Sequence, residues 1–148
     1  MAAKERRIVV GVDGSDSSKA ALGWAMRQAK LAGGSVDAVI VWQFPATYGW
    51  APYPDGQPDL ESDAKSVLVA AVAEVSAREP DVLVRPVVAE GHAAEALLRA
   101  ARGADLLVVG SRGHGGFASA LLGSVSMHCV LHAHCPVLVF RDGTESIP

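Results

Sequence analysis

Four short apolar runs divide the chain: RRIVVGV (6–12), VDAVIVW (36–42), DLLVVG (105–110) and PVLVFR (136–141). Each is rich in Val, Ile and Leu and nearly continuous, as expected for strands covered on both faces. A fifth run, DVLVRPVV (81–88), is interrupted by Pro86, which points to a strand at the edge of a sheet. Between the runs the apolar residues recur at helical spacing. The segment 15–32 offers Ser15 and Asp16 as N-caps, repeats Leu22, Met26 and Ala29, and stops at Gly33-Gly34. Segment 59–79 opens on acids and ends before Pro80, 92–103 ends in glycine, and 124–133 precedes Cys135-Pro136.

The resulting order, βαβαβαβαβ, predicts an α/β fold: a doubly wound, five-stranded parallel sheet with helices on both faces. Right-handed crossovers then place a ligand crevice at the carboxyl ends of the strands, where the strand order reverses. The length of 148 residues suits a single domain over 1–148, and a hydrophobic content of 50% is enough for a sizeable core.

One connection is too long for this economy. QFPATYGWAPYPDGQ (43–57) holds Phe44, Tyr48, Trp50 and Tyr53, half of the eight aromatic residues, together with Pro45, Pro52 and Pro54. It reads either as a loop folded on its own side chains or as a lid or protein-partner surface. A formal net charge of −3 gives no footprint for nucleic acid. No run approaches the ~20 apolar residues of a membrane span, and the start of the chain does not read as a signal peptide. Cys129 and Cys135 are too few for a disulfide scaffold. The expectation is a cytoplasmic protein with reduced thiols and neither nucleic-acid nor membrane partners.

In such a sheet the candidate chemistry lies in the residues just beyond each strand. After the first comes VDGS (12–15), whose Asp13 either faces the crevice as an acceptor or shapes the turn. After the fourth come Gly110, Gly113, Gly123 and Ser124 at the spacing G-x2-G-x9-G-S. Glycines let backbone N–H groups close around a phosphate. A helix starting near Ser124 adds unpaired N–H groups and the positive end of its dipole. Arg112 and the hydroxyls of Ser124 and Ser126 add donors. A charge at an exposed helix N-terminus gains only ~0.3–1 kcal/mol, whereas micromolar binding needs about 8 kcal/mol. A base pocket must contribute, and Asp13 with Ile40 and Val41 is the expected place. The chain has neither a G-x4-G-K-[ST] loop nor a G-x-G-x-x-G opening its first helix.

Two rival constellations remain. MHCVLHAHCP (127–136) gathers His128, Cys129, His132, His134 and Cys135, ligand types suited to zinc, or else ordinary helix and turn residues with Cys129 in the core. His114 lies inside the glycine loop and is an acid–base candidate, but no group that would position a water for hydrolysis is evident.

IVVGVDGSDSSKAAL, ADLLVVGSRGHGG…LLGSVS and HCPVLVF together resemble the universal stress protein family over nearly the whole length. The resemblance implies a Rossmann-like sheet of order 3-2-1-4-5 and a homodimer, which an apolar edge strand 136–141 would also favour. The intact glycine motif resembles the family's ATP-binding branch. Carried over, Asp13 and Val41 contact the adenosine end, while Gly110, Arg112, Gly113, Gly123 and Ser124 line the ribose and phosphate path. Ser111, Gly115, Gly116, Val125 and Ser126 are adjacent, and Gly11 permits close backbone approach. Magnesium, where it accompanies ATP, is held mainly by phosphates and water. His92 departs from the proline that the family often has there. The implied function is a nucleotide-dependent stress-response regulator or sensor. The alternatives are a slow ATP hydrolase or phosphotransferase and a binder of AMP or cyclic AMP.

Overall fold

The structure, a computed structural model, describes residues 6–43, 59–111 and 122–141. Its elements are β1 (Arg7–Gly11), α1 (Asp16–Ala32), β2 (Ser35–Trp42), α2 (Leu60–Ser76), β3 (Val84–Glu90), α3 (Ala93–Ala100), β4 (Leu106–Gly110), α4 (Ser124–His132) and β5 (Val137–Phe140). Every neighbouring pair of strands is parallel, and the order is β3-β2-β1-β4-β5.

The unbroken apolar runs follow from helices on both faces, because successive strand residues point to opposite sides. One core packs Ile8, Val10, Val36, Ala38, Ile40 and Val108 against Leu22 and Met26 of α1 and Leu68 and Val75 of α2. The other packs Val9, Val39, Leu107 and Val109 against Leu97 of α3 and Cys129 of α4. β3 lies at one edge, where Pro86 stands opposite Ala38 with no need of a ladder N–H on its free side.

The helix boundaries follow local chemistry. Ser15 is the α1 N-cap, its side chain accepting from the Ser18 N–H, and Gly33 ends the helix in a left-handed conformation. The Asp59 side chain accepts from the Ser62 N–H to open α2. α3 stops at Ala100, short of Gly103. The Arg7 guanidinium takes up the end of that segment, donating to the carbonyls of Ala100 at 2.9 Å and Arg102 at 2.6 Å.

Arg7 also pairs with Asp37 at 3.0 Å, and Asp37 receives Arg85 Nε at 2.7 Å. This cross-strand triad joins β1, β2 and β3 near their N-terminal ends, opposite the ends where a ligand crevice is expected.

Cys129 is fully buried in the α3/α4 core, and burial pushes its thiol up to about 11. In the unfolded chain the thiol ionises near its ordinary value of about 8.5. The unfolded state thus gives up its proton first as pH rises, and stability falls. The contribution is intact below about pH 8.5 and is lost towards pH 11, by about 3 kcal/mol. Urea unfolding across that range should show a steeper alkaline loss in the wild type than in Cys129→Ala.

Candidate functional site

β1 and β4 are adjacent, yet their following helices pack on opposite faces of the sheet. Their C-terminal ends therefore form the topological switch point, where the chain parts and leaves a crevice.

On the β1 side the turn Val12–Ser15 is closely knit. The Val12 N–H donates to the Val39 carbonyl at 2.8 Å, continuing the β1–β2 ladder by one step. Asp13 Oδ1 accepts from the Ser15 N–H at 2.9 Å, and the Asp13 N–H donates to Ser18 Oγ at 3.3 Å. The Ser18 hydroxyl in turn donates to the Ser15 carbonyl at 2.9 Å. Asp13 thus shapes the turn, as one of the two sequence readings held, while its half-buried carboxylate stays at the strand end.

Gly11 serves close packing as much as any ligand. A Cβ there would lie 3.1 Å from Leu97 Cδ1, so α3 approaches this strand over the missing side chain. The sequence gives no signal of that contact, because Leu97 is 86 residues away along the chain. Ile40 and Val41, expected together at the base pocket, are divided by the strand pleat. Ile40 is buried in the α1/α2 core, whereas half-buried Val41 faces the α3/α4 side near the C-terminal end of β2.

On the β4 side, two hydrogen bonds pin the ends of the glycine loop. The Gly123 N–H donates to the Ser111 carbonyl at 2.6 Å. The Ser126 hydroxyl, buried, donates to the Gly110 carbonyl. The Ser111 N–H reaches the Phe140 carbonyl at 2.8 Å, which fastens the strand end to β5. Ser126 thus spends its proton inside the protein and ties the first turn of α4 to β4, rather than offering that proton to a ligand.

α4 begins at Ser124 with Gly123 as its N-cap, and no side chain caps it. Met127 N–H makes the first intrahelical bond, to the Gly123 carbonyl at 3.0 Å. The N–H groups of Ser124, Val125 and Ser126 donate to no described residue. Three donors and the positive helix end therefore sit beside β4. Ser124 is exposed and Val125 is half-buried. Arg112, Gly113, His114, Gly115 and Gly116 lie outside the described residues, as do the aromatics of 44–58.

The five metal-type side chains of 128–135 are not brought into one cluster. Cys129 turns into the core while His128, His132 and His134 are exposed. Among the described residues no group of three or more His, Cys, Asp or Glu side chains is placed to hold a metal ion. Among the same residues no helix is long and apolar enough to cross a membrane.

A profile of the universal stress protein family matches residues 5–141. The chain belongs to the universal stress protein family. A universal stress protein of Mycobacterium tuberculosis is 37% identical over 140 residues, which cover 90% of this chain and 43% of that protein. The chain thus spans under half the length of that mycobacterial relative. A universal stress protein of Thermus aquaticus is 35% identical over 147 residues, covering 92% of this chain and 98% of its own. A universal stress protein solved in complex with cAMP superposes with a TM-score of 0.67 at 28% identity, covering 95% of this chain and 98% of that one. The strand order of this universal stress protein is the one its sequence resemblance implied.

Proposed function

We propose that this universal stress protein binds an adenine nucleotide, ATP in the leading reading, at the switch point between β1 and β4, and acts as a nucleotide-dependent regulator. The observation that carries the proposal is the G-x2-G-x9-G-S motif with its two ends drawn together. Gly110 and Ser111 meet Gly123 and Ser126 through backbone and hydroxyl bonds, leaving the N–H groups of Ser124, Val125 and Ser126 without a described acceptor. A phosphate supplies the acceptor and the negative charge that such a helix end favours. Ser124 Oγ adds a donor. Arg112, Gly113, Gly115 and Gly116 are assigned to the same path from the motif spacing. Asp13 and Val41 are assigned to the adenosine end, Asp13 through the acceptor capacity of its carboxylate and Val41 through apolar contact. Magnesium, where it accompanies ATP, is assigned to phosphates and water. A structural neighbour bound to cAMP supports the adenine class of ligand.

The same reading assigns the edge strand 136–141 to pairing with a second copy, because β5 has a strand on only one side among the described residues. All four residues of β5 are half-buried and apolar.

The test is direct. Gently purified protein is denatured and any released nucleotide is identified by mass, and apo protein is titrated with ATP, AMP and cAMP. Saturable binding to at least one of them is expected, and it should be abolished in Gly123→Val while that variant keeps its thermal transition. Absence of both a released nucleotide and a saturable titration would overturn the reading.

A further inference from the structure

α4 carries a second feature, which begins one turn beyond Ser124 and does not depend on the nucleotide reading. His128 and His132 stand four residues apart, one helical turn, on an exposed face. Their ring centroids are 4.6 Å apart with the planes tilted by 46°. Two imidazoles bound to one ion through nitrogens at about 2.0–2.1 Å have centroids about 4.5–5 Å apart, so the observed spacing needs little adjustment to share a metal. His132 lies in the last turn of α4, where the helix dipole favours a cation. The helix contains no Lys or Arg to compete with that charge.

The surroundings define the ligand set. Cys129 lies between the two histidines in sequence but is fully buried in the α3/α4 core, so its sulfur is not presented on this face. Cys135 is half-buried beyond the helix, and burial raises its thiol. His134 lies in the turn after α4 and off its i, i+4 row. Two imidazoles on an exposed helix, with the remaining positions open to water, suit a borderline divalent ion of the nickel, copper and zinc type rather than magnesium or calcium, which prefer oxygen.

We propose that His128 and His132 form a two-imidazole chelate for a divalent transition-metal ion on the exposed face of α4. No covalent chemistry is implied: the site binds an ion through two ring nitrogens and leaves water on it.

The experiment uses the untagged full chain, stripped with a chelator and titrated calorimetrically with NiCl2. Saturation at one ion per chain is expected for the wild type. His128→Ala and His132→Ala should each bind at least tenfold more weakly, while His134→Ala and Cys135→Ser should stay within about twofold of wild type. Alanine is a good helix former and both positions are exposed, so the variants should keep the wild-type circular dichroism and melting transition. Two results would overturn the proposal: the absence of saturable Ni2+ binding by the wild type, or wild-type affinity in either His128→Ala or His132→Ala. Equal loss in His134→Ala would also overturn it, because the ligands would then not be the pair on the helix face.

Discussion

Replacing Ser124 by aspartate is expected to lower adenine-nucleotide affinity by about 100-fold or more while making the fold slightly more stable. The two effects have opposite electrostatic signs. Ser124 is the first residue of α4 and is exposed. A carboxylate there meets the positive end of the helix dipole and favours the helix by ~0.3–1 kcal/mol. The same carboxylate repels a phosphate held by the N–H groups of that turn, and two like charges about 4 Å apart near a protein surface cost about 4 kcal/mol. Part of that cost is screened by salt, so the loss should shrink as ionic strength rises. Ser124→Asn has the size of the aspartate without its charge, and it should keep most of the affinity. Calorimetric titration of the three proteins with ATP at two salt concentrations, beside their melting curves, separates charge from bulk. Equal affinity in the aspartate variant and the wild type would remove the phosphate from α4.

The contrast between that helix end and the rest of the molecule shows what the sequence could and could not convey. β1, β2, β4 and β5 lie within one residue of the apolar runs that predicted them, because burial on both faces leaves little room for polar residues. β3 is displaced: the run 81–88 was expected, and the strand is Val84–Glu90. Val82 explains part of the shift, since it is buried from a turn, its N–H donating to the Glu79 carbonyl, and so looks like a strand residue without being one. α3 stops at Ala100 and passes through a turn to Gly103, which is left-handed, and the carbonyls of Ala100 and Arg102 in that turn are taken up at long range by Arg7 of β1. No periodicity in 92–103 could reveal a guanidinium contributed by another strand.

The same division holds at the site. The glycine spacing and the start of α4 were legible because they depend on residue types close together in sequence. The partner of the Ser126 hydroxyl was not, because Gly110 lies on the far side of the loop and a serine at a helix start is equally suited to a ligand. Asp13 was legible only as a choice between two roles. The structure establishes its turn bond to the Ser15 N–H, and its place at the end of β1 keeps it beside the proposed nucleotide path.

That turn supplies the second large effect: Gly14→Ala should destabilise the fold by about 2–4 kcal/mol. Gly14 has φ +85°, and a Cβ built on it would lie 2.6 Å from Val67 Cγ1 of α2. Two penalties therefore add. Holding an L-residue in the left-handed region costs roughly 1–2 kcal/mol. The contact with Val67 adds a cost of similar size, because a β-branched side chain has few rotamers with which to withdraw, although Val67 is partly exposed and α2 can give slightly. Val67→Ala should remove the steric part alone. In a double-mutant cycle, Gly14→Ala should therefore cost about 1–2 kcal/mol less in the Val67→Ala background than in the wild type, with the backbone part remaining. Urea unfolding of the four proteins measures this directly. Nucleotide affinity supplies an independent readout, because the turn that needs Gly14 also fixes Asp13 through the Ser15 N–H and the Ser18 hydroxyl. Under conditions where the variant is still fully folded, a weaker titration would show that the turn positions the carboxylate as well as stabilising the chain. Unchanged affinity together with the predicted loss of stability would confine Gly14 to packing and remove Asp13 from the adenosine end.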